Sequence, residues 1–317
     1  MAISNGFDIT GISVWTKEDP ELIKAAVAKG KTMDRCFVLP GVKYHEKIGV
    51  LDNSIVVQDN SNGGWSATGS VAINQIDVYT TPLCILDELY YQPLQSYFVA
   101  QNFDAGSAYS EQLGPILAES YSDKLSKENE EYLWSNMNKK PLNGATFSGF
   151  IKTLKAETTR VKSVGTYGYT ASYTTSNIIA AVDAMCDKLP DAVMTEPQEL
   201  SLSPKLFRML TSAYRTAYGN NIMFGKAGEN GDFEIYLPGY SNIKAVATTG
   251  LGQSGLDSDQ YMVLTNHKKN MGIATDLLNE QERMDIWYSK EIRGVKVDIE
   301  WKLGTFIKFP TEVVCNF

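Results

Sequence analysis

The stretch DNSNGGWSATGS, residues Asp59 to Ser70, decides how the chain is to be read. It is polar and rich in Gly and Ser, with Trp65 at its centre. On its N-terminal side VKYHEKIGV leads into DNSIVVQD. On its C-terminal side SVAINQIDVYTT sets Val71, Ile73, Ile76 and Val78 in an extended pattern. Two such runs around a Gly-rich tip make a long β-hairpin. With about fifteen residues in each leg it reaches on the order of 50 Å. A lone two-stranded ribbon is only marginally stable in water. The hairpin therefore needs a surface to lie on, and an aromatic side chain at a projecting tip suits an interface. The candidate contact residues are Ile55, Val57, Trp65, Val71 and Ile73, and the surface they need is expected on another copy of the chain.

The flanking segments define the rest of the organisation. DPELIKAAVAKG is expected to be a helix, with Asp19 as N-cap, Pro20 in the first turn and Gly30 after the end. LCILDELYYQPLQSYF reads as a compact segment. From Ser110 to Asn138, apolar residues at Leu113, Ile116, Leu117, Tyr121, Leu125, Tyr132 and Leu133 keep helical spacing, with KENEE as the solvated face. That helix would run about 40 Å, a spine more than a packed layer. TSNIIAAVDAMCDKLPD predicts a helix capped by Ser176 or Asn177, with Ile178, Ile179, Val182, Met185 and Leu189 inward. ELSLSPKLFRMLTSAYRTAYG predicts a strand and then a helix opened by Ser203-Pro204. FEIYLPGYSNIKAVAT and YMVLTNHKKNMGIATDLL each read as strand, turn, strand. VKVDIEWKLGTFIKF reads as two strands around a Lys-Leu-Gly turn. The class is α+β, because the order is not the regular βαβα alternation of a parallel sheet.

Composition narrows the chemistry. The 317 residues are 43% hydrophobic and 21% charged, which is globular. A net charge of -8 disfavours a nucleic-acid reader with a basic face, though not a container for nucleic acid. Cys36, Cys84, Cys186 and Cys315 are scattered, with no CxxC pair and no signal-sequence pattern, so reduced cytosolic thiols are expected. GLGQSG, Gly250 to Gly255, matches the GxGxxG string and raises a nucleotide-binding enzyme as an alternative. Dinucleotide binding needs a helix next, however, and LDSDQYMVLT offers two acids and a strand, so a flexible loop is the better reading. His45, among charges at the hairpin base, and His267, in the hydrophilic turn TNHKKN, are the only histidines. No G-x-S-x-G elbow accompanies them. No cofactor or metal is implied.

The order of elements resembles the major capsid protein of tailed bacteriophages, the Hong Kong 97 type fold. KENEEYLWSN resembles the end of that family's spine helix. NIIAAVDAMCDKLPD followed by ELSLSPKLFRMLTSAY resembles the helix, strand, Ser-Pro and helix of its axial domain. LPGYSNIKAVATTGL, NHKKNMGIATDLL and IRGVKVDIEWKLGTFIKFP resemble its closing strands. VWTKEDPELIKAAVAKGKTMDRCFVLPGVKYHEKI is similar to the arm of capsid proteins from phages of Bacteroidetes hosts. The resemblance spans almost the whole chain and rests on the order of its parts.

What the resemblance implies is a structural role. Residues 1–40 would be an N-terminal arm and 41–81 an extended loop. Residues 82–142 and 276–317 would form a peripheral domain with the spine helix, and 143–275 an axial domain. The chain would self-assemble into hexamers and pentamers of an icosahedral shell, in the virion, around double-stranded DNA held without sequence-specific contacts. A portal and a separate scaffolding protein would be its partners. The family's Lys–Asn crosslink is not expected, because Gln58 to Ile76 holds no Lys and Lys43 and Lys47 sit at the loop's base. An encapsulin-like compartment shell is the alternative within the same fold.

Overall fold

A computed structural model of the chain describes residues 31–54, 70–90, 121, 124–136, 141–142, 145–157, 162–163, 173–219, 234–252, 260–276, 283–289, 291 and 294–316. The helix expected over 20–30, the hairpin tip over 55–69 and most of the spine helix before Tyr121 lie outside these residues.

The described chain opens with a short helix, Lys31–Arg35, and strand β1 (Phe37–Pro40). The hairpin follows as β2 (His45–Ser54) and β3 (Ser70–Tyr79), and then comes β4 (Thr81–Tyr90). Two short strands, β5 (Pro141–Leu142) and β6 (Ala145–Thr146), precede the helix Phe150–Ala156 and β7 (Lys162–Ser163). Next come the helix Ile178–Cys186, β8 (Gln198–Leu202), the helix Pro204–Tyr218, β9 (Glu234–Leu237) and β10 (Tyr240–Ala247). The last elements are β11 (Met262–Thr265), the one-turn helix His267–Asn270, β12 (Met271–Thr275), β13 (Arg283–Ser289), β14 (Gly294–Ile307) and β15 (Val314–Asn316).

The described strands make two mixed sheets and two two-stranded ones, β2-β3 and β5-β6, so the α+β class holds. One sheet is built on β14, which pairs with β4 and β13 along its first half and with β12 at its end; β1 adds to β12 in parallel. The other runs β7-β15-β11-β8-β10-β9. β11 and β12 are separated by one helical turn and belong to different sheets, so TNHKKN is a crossover and not a hairpin turn. The last strand, β15, returns to the sheet of β11, while β12, before residue 276, belongs to the sheet of β14.

Each sheet has its own apolar core. The first gathers Trp134, Phe150, Ile151 and Leu154 against Val297, Ile299, Trp301 and Leu303 of β14. The second gathers Ile178, Val182 and Met185 with Leu206, Leu210, Leu200 and Ile243. Fully burying each aliphatic side chain contributes about 1.5–3 kcal/mol. Local signals agree with the packing. Ser203 caps its helix by accepting from the Leu206 amide at 3.2 Å, Pro204 occupies the first turn, and Gly219 ends the helix at φ 67°. Ile178, Val182 and Met185 face inward as their spacing requires, with Asn177 in the cap position.

Four readings are corrected. VKVDIEWKLGTFIKF is one strand of 14 residues, not two around a turn. Gly304 looked like a turn residue, but it is there for contact: a Cβ on it would collide with the Tyr79 carbonyl oxygen, where the hairpin crosses the sheet. LCILDELYYQPLQSYF is not compact at its start, since β4 pairs with β14 over ten residues. The spine helix ends at Leu133, with Trp134 in a turn, short of Asn138. KENEE is not a solvated face throughout, because Asn129 and Glu130 are buried.

Residues 31–40, expected at the end of a free arm, are built into the body, with Met33 and Cys36 in the first core. Gly304→Ala is expected to lower stability by about 1–3 kcal/mol through overpacking. Gly49→Ala, whose Cβ would meet only Ile73 Cγ2 at 3.7 Å, should cost under about 1 kcal/mol. Urea unfolding of the two variants checks the difference.

Candidate functional site

The hairpin is the first candidate. β2 and β3 pair in unbroken antiparallel register, from His45↔Tyr79 to Ser54↔Ser70. Ten pairs span about 33 Å. Its two faces differ because side chains alternate across a strand. One face at the base is seated: Val78, Ile76 and Ile48 pack with Val42, Phe37, Leu39, Ala274 and Phe306. The opposite face is open. Tyr79 stacks on His45 with ring centroids 4.6 Å apart, and His45 Nε2 lies 3.0 Å from Asp77 Oδ1. Farther out, Ile73 is 69% exposed. Val71 occupies β3 two residues before it, opposite Asn53. Ile55, Val57 and Trp65 lie outside the described residues. Of the five candidate contact residues, Ile73 alone has a described side chain, and it is an unburied β-branched residue on the face that carries Tyr79.

The second candidate is a polar junction that spacing along the chain did not reveal. Arg35, Glu199, Thr248, Ser201 and His267 meet where the Lys31–Arg35 helix touches β8. Arg35 Nη1 donates to Glu199 Oε1, and Arg35 Nη2 donates to Thr248 Oγ1 at 3.2 Å. Lys244 reaches Glu199 Oε2 at 3.5 Å and Glu234 Oε1 at 3.0 Å. Thr248 Oγ1 bonds Ser201 Oγ at 3.3 Å, and Ser201 Oγ lies 2.9 Å from His267 Nε2. His267 Nδ1 is 3.2 Å from the Thr265 carbonyl oxygen. The other end of the short helix is tied to the spine. Thr32 donates its amide and hydroxyl to Glu130 at 3.2 and 2.5 Å, and Trp134 Nε1 donates to Thr32 Oγ1 at 2.9 Å.

His267 is therefore 2% exposed and not the solvated turn residue expected from TNHKKN. One helical turn carries it inward between the two sheets. The signal in the sequence was the alternation of β8: Leu200 and Leu202 enter the second core, leaving Glu199 and Ser201 for the other face. Nothing in the spacing pointed to Arg35, 164 residues away. Burial alone would raise the Glu199 carboxyl, but His267 when protonated, Arg35 and Lys244 outweigh it and hold it below its ordinary value.

GLGQSG is also corrected in part. Residues 249–252 form a tight 3-10 turn with Gly250 and Leu251 buried, so this half is no flexible loop. A Cβ on Gly250 would collide with the Trp134 indole and come within 2.6 Å of the Glu130 carbonyl oxygen, and one on Gly252 would come within 2.9 Å of Pro204. The space a pyrophosphate would need at Gly250 is filled by an indole. Strand β11 is the next described element, as LDSDQYMVLT suggested.

No family model and no curated protein matches the sequence. Solved structures do. The chain aligns with one from the satellite phage P4 procapsid, which includes a size determination protein, at TM-score 0.57 and 12% identity. That alignment covers 93% of this chain and 89% of the other. It aligns with the capsid of an empty GTA particle at TM-score 0.55 and 13% identity, over 91% and 89%. It aligns with a virus-like particle from Pyrococcus furiosus at TM-score 0.53 and 12% identity, over 96% and 99%. The chain has the phage-capsid fold.

Within this capsid fold the Ser201, His267 and Glu199 constellation is an internal joint. Glu199 stands 3.9 Å from His267 Nδ1, whose bond goes to Thr265. Ser201 is 0% exposed, so no acyl donor reaches its hydroxyl. Among the described residues of this capsid-fold chain, no helix is long and apolar enough to cross a membrane.

Arg35→Met is expected to destabilise the subunit by about 3–5 kcal/mol, because it leaves the buried Glu199 carboxylate without its main partner. The double variant Arg35→Met/Glu199→Leu should cost less than the single. Chemical denaturation of wild type, single and double variants tests this ordering.

Proposed function

We propose that the chain is the major capsid protein of a tailed double-stranded DNA phage and assembles into its icosahedral head. The observation that carries this reading is the match of nearly the whole chain to subunits of phage and phage-like shells. Ile73, exposed on the unseated ribbon face, adds to it. A ribbon seated on one face only gains stability when Ile73, with Ile55, Val57, Trp65 and Val71, buries apolar area on a neighbour, at roughly 25 cal/mol per Å². Closed symmetry repeats each such contact around the shell, so no single one needs to be strong.

In this reading residues 41–81 form the extended loop and 1–40 the arm, anchored on its own subunit by residues 31–40 and reaching a neighbour with the part before them. Residues 82–142 with 276–317 make most of the peripheral unit and 143–275 most of the axial one, while β12 joins the sheet of β14 and β15 that of β11. The partners are further copies in hexamers and pentamers, a portal and a scaffolding protein. The place of action is the virion, after assembly in the host cytoplasm. A net charge of -8 suits a wall that holds DNA without gripping it. The protein's role is architectural, with no reaction assigned. The resemblance of VWTKEDPELIKAAVAKGKTMDRCFVLPGVKYHEKI to the arm of capsid proteins from phages of Bacteroidetes hosts would place the source there.

A compartment shell without a genome is the second reading. The alignment with the Pyrococcus furiosus particle, which covers 99% of that chain, favours it.

Negative-stain electron microscopy of the purified chain is expected to show closed shells. Shells isolated from infected cells should protect DNA from nuclease; shells holding only a protein cargo would move the assignment to the second reading. Rings, tubes or monomers alone would contradict both. Ile73→Asp and Trp65→Ala are expected to change subunit stability by under about 1 kcal/mol and to raise the concentration needed for assembly about tenfold or more. Denaturation and light scattering give the two readouts.

A further inference from the structure

The hydrogen bonds of the polar junction have one possible direction. Arg35 can only donate, so Thr248 Oγ1 accepts from it and passes its own proton to Ser201 Oγ. The Thr265 carbonyl can only accept, so His267 Nδ1 carries a proton. What remains is the Ser201 hydroxyl donating to His267 Nε2 at 2.9 Å. The chain therefore runs from guanidinium to carbonyl through a neutral imidazole. Every group in it is buried, and both ends fix its polarity.

A proton on Nε2 breaks this chain. The ring then presents a second donor to Ser201 Oγ, and the Ser201 hydroxyl proton loses its acceptor. Charge is also upset. The charged groups around the ring are Glu199 on β8, Arg35 on the Lys31–Arg35 helix and Lys244 on β10; Glu130 stands beyond Thr32 and Trp134, and Cys36 follows Arg35. Both carboxylate oxygens of Glu199 already face cations. A protonated ring would have to share Glu199, 3.9 Å from Nδ1, with the two cations already on its oxygens.

We propose that His267 is a proton-operated latch: the neutral ring holds residues 31–40, the Lys31–Arg35 helix and β1, on the body of the subunit, and protonation lets that segment come away. The helix is the natural part to yield. It is five residues long, too short to persist alone, and besides Met33 in the first core it is held by Thr32 at one end and Arg35 at the other. The inference rests on the joint within one chain and stands whether or not the shell reading does.

The pH window follows from the groups themselves. Burial is the largest influence on His267 and holds its proton affinity below the ordinary value of 6.5, with Glu199 opposing and Arg35 adding to the depression. A base that loses affinity on folding contributes stability that is complete above pH 6.5. That stability is lost as pH falls below it, until the folded ring itself takes a proton. Glu199, held below its ordinary value of 4.5 by its cations, acts at lower pH. Between pH 6.5 and 5, His267 is the member of the joint that responds.

Hydrogen exchange on the full chain at pH 7.5 and 5.5, corrected for intrinsic rates, tests the latch. Peptides covering residues 31–40 are expected to open about tenfold more at pH 5.5, while β8 and β14 stay protected. His267→Gln keeps one acceptor and one donor and cannot be protonated, so it should remove the pH response. Should that variant fail to fold, imidazole NMR of the wild type decides, since His45 is the only other histidine. The His267 signal is expected to titrate below 6.5 together with signals from residues 31–40. Equal exchange at the two pH values, opening spread evenly over the chain, a response that survives in His267→Gln, or a His267 titration without change in residues 31–40 would each overturn the proposal.

Discussion

A two-stranded ribbon has two faces and can seat only one of them on the body it grows from. The rest of this structure answers that constraint. β14 is buried on both sides at its C-terminal end: Leu303 and Ile307 enter the first core, while Phe306 sits under the hairpin base. Gly304 lets the Tyr79 carbonyl approach, and the Phe306 ring lies where a Cβ on Gly272 would have been. Two glycines thus set how closely the ribbon docks. Beyond the base, β2 and β3 continue with Ile73 open to water. On the proposed reading, that unburied β-branched residue is one a neighbouring copy would cover.

The second organising feature is the way the chain ties its two cores together. The short helix Lys31–Arg35 reaches the spine through Glu130 and Trp134, and β8 through Glu199. Trp134 touches nearly every party: it packs on Phe150, lies 6.4 Å from the His267 ring and covers Gly250. Ionic groups are an expensive way to fill such a place, since desolvation offsets much of the attraction. What they supply is direction, because a guanidinium, two hydroxyls and one imidazole tautomer fit together in a single sense.

The hairpin and the helix-strand-helix around Ser203 were legible in the sequence because their signals are local. Alternation, a Gly-rich tip, a Ser-Pro start and a Gly end act within a few residues. The misreadings came from long-range causes. Gly304 resembles a turn glycine, and only the passing Tyr79 carbonyl explains it. Glu130 lies among charges and looks solvated, yet the amide and hydroxyl of Thr32, 98 residues earlier, bury it. His267 sits between polar neighbours, but the turn that carries it changes sheets. The GLGQSG string looked like a phosphate cradle or a loose loop, and its first half is a seat for an indole. That a long ribbon must lie on something was legible, while which of its faces is seated on the body required the register of β2 and β3.

The central claim is that the outer ribbon face is covered by another copy of the chain. It is tested most directly by thiol labelling of Ile73→Cys, with Cys84 changed to Ser because Cys84 is exposed. Labelling rates are compared between assembled particles and subunits dissociated from them. The account expects at least tenfold protection in the particle. Equal rates in the two states would contradict it.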